Sequence, residues 1–507
     1  MALLHNWLRW YGNRRHVRPW ALAVPVIVLL IALPLLRPLR HPGVDSISDE
    51  EMARLATVQA LVEQDTLAID DSPFARRISA KVERNGRLYS SQPPVMAVLL
   101  SGPYRVMRHF GYTFDSSPDW VMYMLTLLGT TLPVAAAGGL AYRMGRLFEL
   151  RRPWRAALAL AVVMGSGLVS YATVLNAHAP AAALVLGSAG CLVHVAITNR
   201  RMHGSVWLAA SGGCAALAAA LEPAAVVFVL LFGAVVLALR WTIVQRAAGL
   251  MVYLAGAAVP LLLHVSLVER TTGNVWQGSG LGTHAMAAAT APATAPAYAT
   301  PLRERVVSGL SFPPGTTTDE MDFDEDERAP QSAWQAFGAA LGRISSAFFG
   351  RHGVLSHFPV ALLGILGVTM VMHRHWPSTT KVLATATLAG GLAMILLYTF
   401  RALDWGQAMF GTRWFVAFLP LTVFWAGVWL RRRHRPASWA LAGVLLAFSV
   451  GVSLLGATGP LPREGFHVYT AAGAARNLAH YAETREGAAG PAVLAGAGVR
   501  DRAAEEP

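Results

Sequence analysis

Charge is scarce in this sequence. Asp, Glu, Lys and Arg make up 14% of its 507 residues, whereas about a quarter is usual for a soluble globular chain. With 54% hydrophobic residues and a mean hydropathy of +0.43, lipid is the main solvent, which excludes a cytosolic enzyme and a disordered or fibrous chain. Cysteine is scarcer still. The two present, Cys191 and Cys214, both sit in apolar runs, so neither a disulfide framework nor a cysteine-based zinc site can be built.

The charges lean one way, 42 Lys and Arg against 29 Asp and Glu, a formal +13. Such a surplus would suit nucleic acid if it formed a patch. Instead it stands in short clusters between apolar segments, the pattern of membrane topology.

A helix needs about 20 mostly apolar residues to cross a bilayer. About eleven segments qualify: Trp20 to Leu36, Trp120 to Tyr142, Ala156 to Val174, Ala179 to Ile197, Val206 to Leu221, Pro223 to Leu239, Ala247 to Val268, Val354 to Met372, Val382 to Phe400, Trp414 to Leu430 and Trp439 to Ala457. Bending the chain differently around Glu222-Pro223 shifts that count by about one or two. The first segment has no small-residue cleavage site after its apolar core and reads as a retained anchor.

Sidedness follows from the connections. With the N-terminus inside, the cytoplasmic connections (Met1 to Pro19, Arg143 to Arg155, Asn199 to Ser205, Arg240 to Arg246, His373 to Lys381, Arg431 to Pro436) carry 19 Lys and Arg and a single acid, Glu149, as the positive-inside rule requires. All other acids except Glu222, at a membrane boundary, then lie outside, so the working face is expected to be extracytoplasmic. That face has a first loop, 37–119, a second, 269–353, a short one, Arg401 to Arg413, and the tail. The chain divides into a polytopic domain, 1–457, and an extracytoplasmic C-terminal tail, 458–507.

The first loop is organised. Ser48 with Glu51 three residues on has the form of a capping box. Met52, Leu55, Val58, Leu61 and Val62 follow at helical spacing, so 49–64 is expected to be an amphipathic helix at the membrane surface. Asp49 and Glu50 stand in its first turn, where helix-dipole compensation alone would account for acids. Asn85-Gly86 predicts a hairpin turn between Val82–Arg84 and Leu88–Ser90. The apolar run Val95 to Leu100, after Pro93-Pro94, is too short to span and should lie on or just inside the bilayer.

These segments resemble a known family. The acidic opening "SISDEEMARLA", the later "GRLYSSQPP" and its continuation "GPYRVM" are similar to the first extracytoplasmic loop of GT-C glycosyltransferases, among them protein O-mannosyltransferases and lipid A aminoarabinose transferases. "FFGRHGVLSHFPVALLGILG" and "WGQAMFGTRWFVAFLP" resemble later segments of bacterial members. The resemblance implies an all-α polytopic membrane protein, with about eleven transmembrane helices and surface helices in a large first extracytoplasmic loop. It implies a glycosyltransferase that moves a sugar from a polyprenyl-phosphate donor to a lipid, glycan or protein acceptor, in the cytoplasmic (inner) membrane of a bacterium. Asp49 aligns with the acid used at the reaction centre and Glu50 with its neighbour, while Tyr89 and Gln92 fall in the donor-binding segment. The aminoarabinose enzymes carry Lys just before Pro-Pro, where this chain has Gln92, so another cation must take its place.

Chemistry asks for a lipid-facing groove, cations for the phosphate and a carboxylate to deprotonate the acceptor hydroxyl. Asp49 is the first candidate base and Glu50 the second. Arg413, at the outer edge of the tenth segment, suits phosphate, guanidinium being a bidentate donor, although arginines also snorkel there. Arg351 and His352 are second-line candidates. His178, Glu222 and Trp405 are candidates to contact sugar or acceptor; their plainer readings are a loop histidine, a helix-terminus acid and a membrane-belt aromatic. The acid run Asp319 to Glu327 lacks EF-hand spacing. His178 could equally bind the phosphate or a metal, and a divalent cation, Mg or Mn, stays open. The alternative function is a transporter or lipid flippase, for which repeated halves and charges within the spans would be expected.

Overall fold

A computed structural model describes residues 19–36, 48–76, 78, 80–198, 201–273, 333–349, 353–401, 413–432 and 434–458. Its helices are α1 (Pro19–Ala32), α2 (Asp49–Glu63), α3 (Val95–His109), α4 (Pro118–Phe148), α5 (Arg152–Met164), α6 (His178–Thr198), α7 (Arg201–Leu221), α8 (Val226–Leu237), α9 (Ile243–Arg270), α10 (Ala333–Phe349), α11 (Val354–His357), α12 (Ala361–Met372), α13 (Ser378–Arg401), α14 (Leu419–Phe424), α15 (Ala426–Leu430) and α16 (Pro436–Ala457). Among the described residues, six are long and apolar enough to cross a membrane, or seven if the bent pair Ala340–His357 and Ala361–Met372 is one span. The protein is a mostly helical, multi-pass membrane protein.

Each of the eleven expected segments contains helix, but five are short or broken. The third does not run through: α5 stops at Met164, the chain turns over Gly165-Ser166-Gly167, and Ser170–Thr173 forms a 3-10 turn. The tenth opens as a 3-10 turn at Arg413–Phe415 and breaks between α14 and α15. The second swells into a π-turn at Leu127–Thr131 within α4. Outward surfaces are apolar, as lipid demands: Leu254, Val259 and Leu262 on α9 and Leu441, Val444 and Phe448 on α16 are exposed.

In the first loop the capping box forms. Ser48 N and Oγ donate to Glu51 Oε2 at 3.1 and 2.9 Å, and Glu51 N returns a bond to Ser48 Oγ at 3.4 Å. The helix it opens differs from the surface helix expected for 49–64. From Glu51 to Ala60 every residue of α2 is buried, Arg54 and Gln59 included. The loop folds over α2: Tyr104 of α3 bonds Glu63, and Arg108 donates to Val62 O at 2.6 Å. The amphipathic surface helix is α3, whose Leu99, Val106 and the following Phe110 are exposed. The hairpin is as expected, β1 (Lys81–Arg84) against β2 (Arg87–Ser90), with Asn85 and Gly86 both at positive φ, 55° and 72°, the geometry of a type I′ turn.

Connections assigned to one side lie together. Glu149 pairs with Arg431, and Arg431 lies over Trp376 at 5.5 Å, so three connections expected inside the cell meet at one end of the molecule.

Candidate active site

Chain breaks deliver the polar side chains of the opposite end. Before α6, Asn176 Oδ1 accepts Ala179 N at 2.9 Å, while its amide donates to Tyr171 O and Val174 O. That turn sets His178 as the first residue of α6, 4% exposed. Between α7 and α8, Pro223 cannot continue the helix and forces Glu222 to an extended conformation, φ −132° and ψ 95°. Glu222 is 2% exposed.

The two side chains meet. Glu222 Oε2 lies 2.6 Å from His178 Nδ1, off the line of an ideal ring N–H bond. The other Glu222 oxygen accepts Tyr398 OH from α13. Burial of a carboxylate is costly unless it is paired and hydrogen-bonded, and here both oxygens have partners. Tyr398 stacks on Trp414 at 4.6 Å, and His178 presents its ring edge-on to Trp414 at 5.7 Å.

Trp414 leads to the first loop. Arg413 lies over its ring at 4.1 Å and forms an ion pair with Glu50 Oε1. Glu50 Oε2 is 3.7 Å from Arg54 Nη1, one helical turn on, and Arg54 Nη2 donates to Gln92 Oε1 at 2.8 Å. Burial alone would raise the Glu50 pKa. Arg413, then Arg54 and His178, outweigh it by Coulombic attraction, and the Arg413 hydrogen bond adds to this, holding the carboxyl at about 2. Glu51 is occupied structurally: one oxygen closes the capping box and the other accepts Leu175 N at 3.0 Å. Asp49 Oδ2 accepts Ala80 N at 3.0 Å, tying the start of α2 to the residue before the hairpin.

Of the sequence candidates, Glu50, Gln92, Arg413, His178 and Glu222 therefore converge, although they come from the first loop and three chain breaks. Asp49 stands in the same helical turn. Tyr89 lies in β2 opposite Val82, with an isolated bridge to Ala68. Arg351, His352 and Trp405 lie outside the described residues, as does the acid run 319–327. Three members went unnoticed in the sequence. Arg54 had only the Glu50 i,i+4 spacing as a signal, while Tyr398 and Trp414 read as ordinary span aromatics.

A cavity of about 470 Å³ adjoins this cluster, lined by apolar side chains including Met96, Leu100, Leu128, Pro180, Leu184 and Leu221. Leu221 precedes Glu222, Pro180 follows His178 by two residues, and Met96, in the first turn of α3, follows Gln92 by four. Among the described residues no group of three His, Cys, Asp or Glu could hold a metal ion. Two guanidiniums flank Glu50, so a cation does not fit beside that carboxylate.

No family model matches the chain, and no curated protein matches its sequence. Solved structures are similar to it at low identity, with TM-scores below 0.5. ArnT from Cupriavidus metallidurans, bound to undecaprenyl phosphate, is 14% identical with a TM-score of 0.47, over 84% of this chain and 62% of that one. The Archaeoglobus fulgidus oligosaccharyltransferase AglB, in complex with an inhibitory peptide and a dolichol-phosphate, is 12% identical with a TM-score of 0.47, over 88% and 56%. The same oligosaccharyltransferase tethered to an acceptor peptide with an NVT sequon is 14% identical with a TM-score of 0.48, over 88% and 56%. The chain thus spans less than two thirds of the length of these proteins.

Proposed function

We propose that this protein is an extracytoplasmic glycosyltransferase that takes a sugar from a polyprenyl-phosphate donor in the bacterial inner membrane and passes it to a lipid, glycan or protein acceptor. The observation that carries this reading is the meeting of two buried guanidiniums, Arg54 and Arg413, with the acidic turn of the first loop beside an apolar cavity. A donor of this class has three parts, and each has a matching surface. The isoprenoid suits the cavity beside α3, the phosphate suits the guanidiniums, and the sugar falls near His178, Glu222 and Trp414. Arg54, bonded to Gln92, supplies the cation expected at the Pro-Pro segment.

Asp49 is assigned as the base that takes the acceptor hydroxyl proton. Glu50 suits that role less, because a carboxylate held at about pKa 2 is a weak base at neutral pH. His178, steadied by Glu222 and Tyr398, is assigned to a sugar or acceptor hydroxyl, and Trp414 is an aromatic wall next to it. The phosphate's charge is met by arginine, and a divalent cation has no assigned step.

A transporter or flippase would also use an acid at membrane depth such as Glu222. The placement of two cations and three first-loop acids at one end of the bundle favours group transfer. Mass spectrometry of envelope glycans and lipids from a deletion strain tests the reading. An accumulating lipid-linked sugar together with a missing glycan unit is expected; an unchanged glycan profile with a solute or lipid trapped on one side would overturn it.

A further inference from the structure

Glu50 shares one carboxylate between two cations. Oε1 pairs with Arg413 and Oε2 faces Arg54 at 3.7 Å, while the side chains of Arg54 and Arg413 are 3% and 11% exposed. An oxyanion bridging two guanidiniums is the arrangement in which arginine holds phosphate. Donors remain for a further oxygen: Arg54 Nε and Trp414 Nε1 are buried without hydrogen-bond partners, a state that costs free energy until a ligand or water supplies an acceptor. Glu50 is the member of the three with the most exposed side chain. Its side chain is 20% exposed and stands in the first turn of α2, so rotation about its side-chain bonds can carry it off the arginines without moving the helix.

We propose that Glu50 is a built-in occupant of the donor's phosphate site: Arg54 and Arg413 together hold the phosphate of the lipid-linked sugar, and Glu50 surrenders them when it arrives. This rests on the polyprenyl-phosphate reading above. Carboxylate and phosphate cannot both occupy the pair without placing two anions in contact in a poorly solvated site, so binding of one excludes the other. Two consequences follow. The empty site keeps its arginines neutralised, removing the cost of two buried, unpaired cations. The donor binds only to the fraction of molecules in which Glu50 has left, which weakens its apparent affinity by that fraction.

The test is binding of a fluorescent short-chain polyprenyl phosphate to the purified full-length protein in nanodiscs, with the neutral polyprenol as control. Glu50→Gln keeps the size of the side chain and removes the competing charge, so the phosphate should bind several-fold to about tenfold more tightly, with polyprenol binding unchanged. Glu50→Asp, one methylene shorter and unable to reach both arginines, should shift affinity the same way by less; it serves if the glutamine variant folds poorly. Arg54→Lys and Arg413→Lys should each weaken binding about tenfold or more through loss of the planar fork. Equal or weaker phosphate binding in both Glu50 variants, with the arginine variants impaired, would overturn the occupant role and leave the donor reading standing. Wild-type protein that binds polyprenol and polyprenyl phosphate alike would overturn both.

Discussion

Glu222 and His178, which end one helix and begin another, meet with 2.6 Å between carboxylate oxygen and ring Nδ1. The contact spans two of the breaks that interrupt the bundle, and Tyr398 completes it from a third helix. The imidazole stands edge-on to Trp414 at 5.7 Å, the tryptophan over which Arg413 lies.

If Glu222 positions His178, Glu222→Gln should lower turnover about ten- to a hundredfold, the scale of a misplaced group in a preorganised site. Donor affinity should change little, because the arginines are untouched. Tyr398→Phe keeps the stack on Trp414 but leaves a buried carboxylate oxygen unpaired, which should cost about 1–3 kcal/mol of stability. Steady-state kinetics and thermal unfolding in detergent separate the two effects.

The Glu50 ion pair predicts an acid-dependent loss of stability. Its folded pKa of about 2 lies below the ordinary 4.5, so folding favours the deprotonated form. That contribution is fully present above about pH 4.5, fades as pH falls towards 2, and is worth at most about 3 kcal/mol. Unfolding midpoints measured from pH 6 down to pH 3 should fall more steeply for wild type than for Glu50→Gln. Parallel curves would show that the pair contributes nothing net.

Helices α7 and α9 touch backbone to backbone. A Cβ at Gly212 would lie 1.9 Å from Tyr253 O, and one at Gly256 would lie 2.1 Å from Ala209 O, so small residues are required where the helices cross. Gly212→Val should destabilise the protein by about 1–3 kcal/mol or prevent assembly. Gly443→Ala, with nothing within 4 Å of the new Cβ, should be tolerated. Fluorescence size-exclusion with a heating step reads both.

If arginine meets the donor's phosphate charge, as proposed, transfer should survive metal removal. Activity after EDTA treatment should stay within about twofold of the untreated enzyme, well inside the loss of a functional interaction. A collapse restored by Mg2+ or Mn2+ would instead give the cation a step in transfer.

Local signals were legible in the sequence, and long-range ones were not. Ser48 and Glu51 announce a cap by spacing alone, and Asn85-Gly86 announces a turn because it needs positive φ. Glu222-Pro223 marks a break for steric reasons. What 49–64 could not reveal is how completely α2 is buried, since helical periodicity describes one face and the lid formed by α3 covers the rest. Arg54 reads as half of an i,i+4 pair with Glu50; its burial, and the arrival of Arg413 363 positions away, depend on the whole bundle. Tyr398 was hidden for the same reason, being 176 positions from Glu222.

The proposed role of Asp49 as base is tested by transfer of a radiolabelled sugar from a polyprenyl-phosphate donor by the purified protein in nanodiscs, wild type against Asp49→Asn, with donor binding measured in parallel. Asparagine can still accept the Ala80 amide and suits a helix N-terminus, so the fold should hold. Transfer by Asp49→Asn should fall by about two orders of magnitude or more with donor binding intact. Undiminished transfer would contradict the assignment of Asp49 as the base.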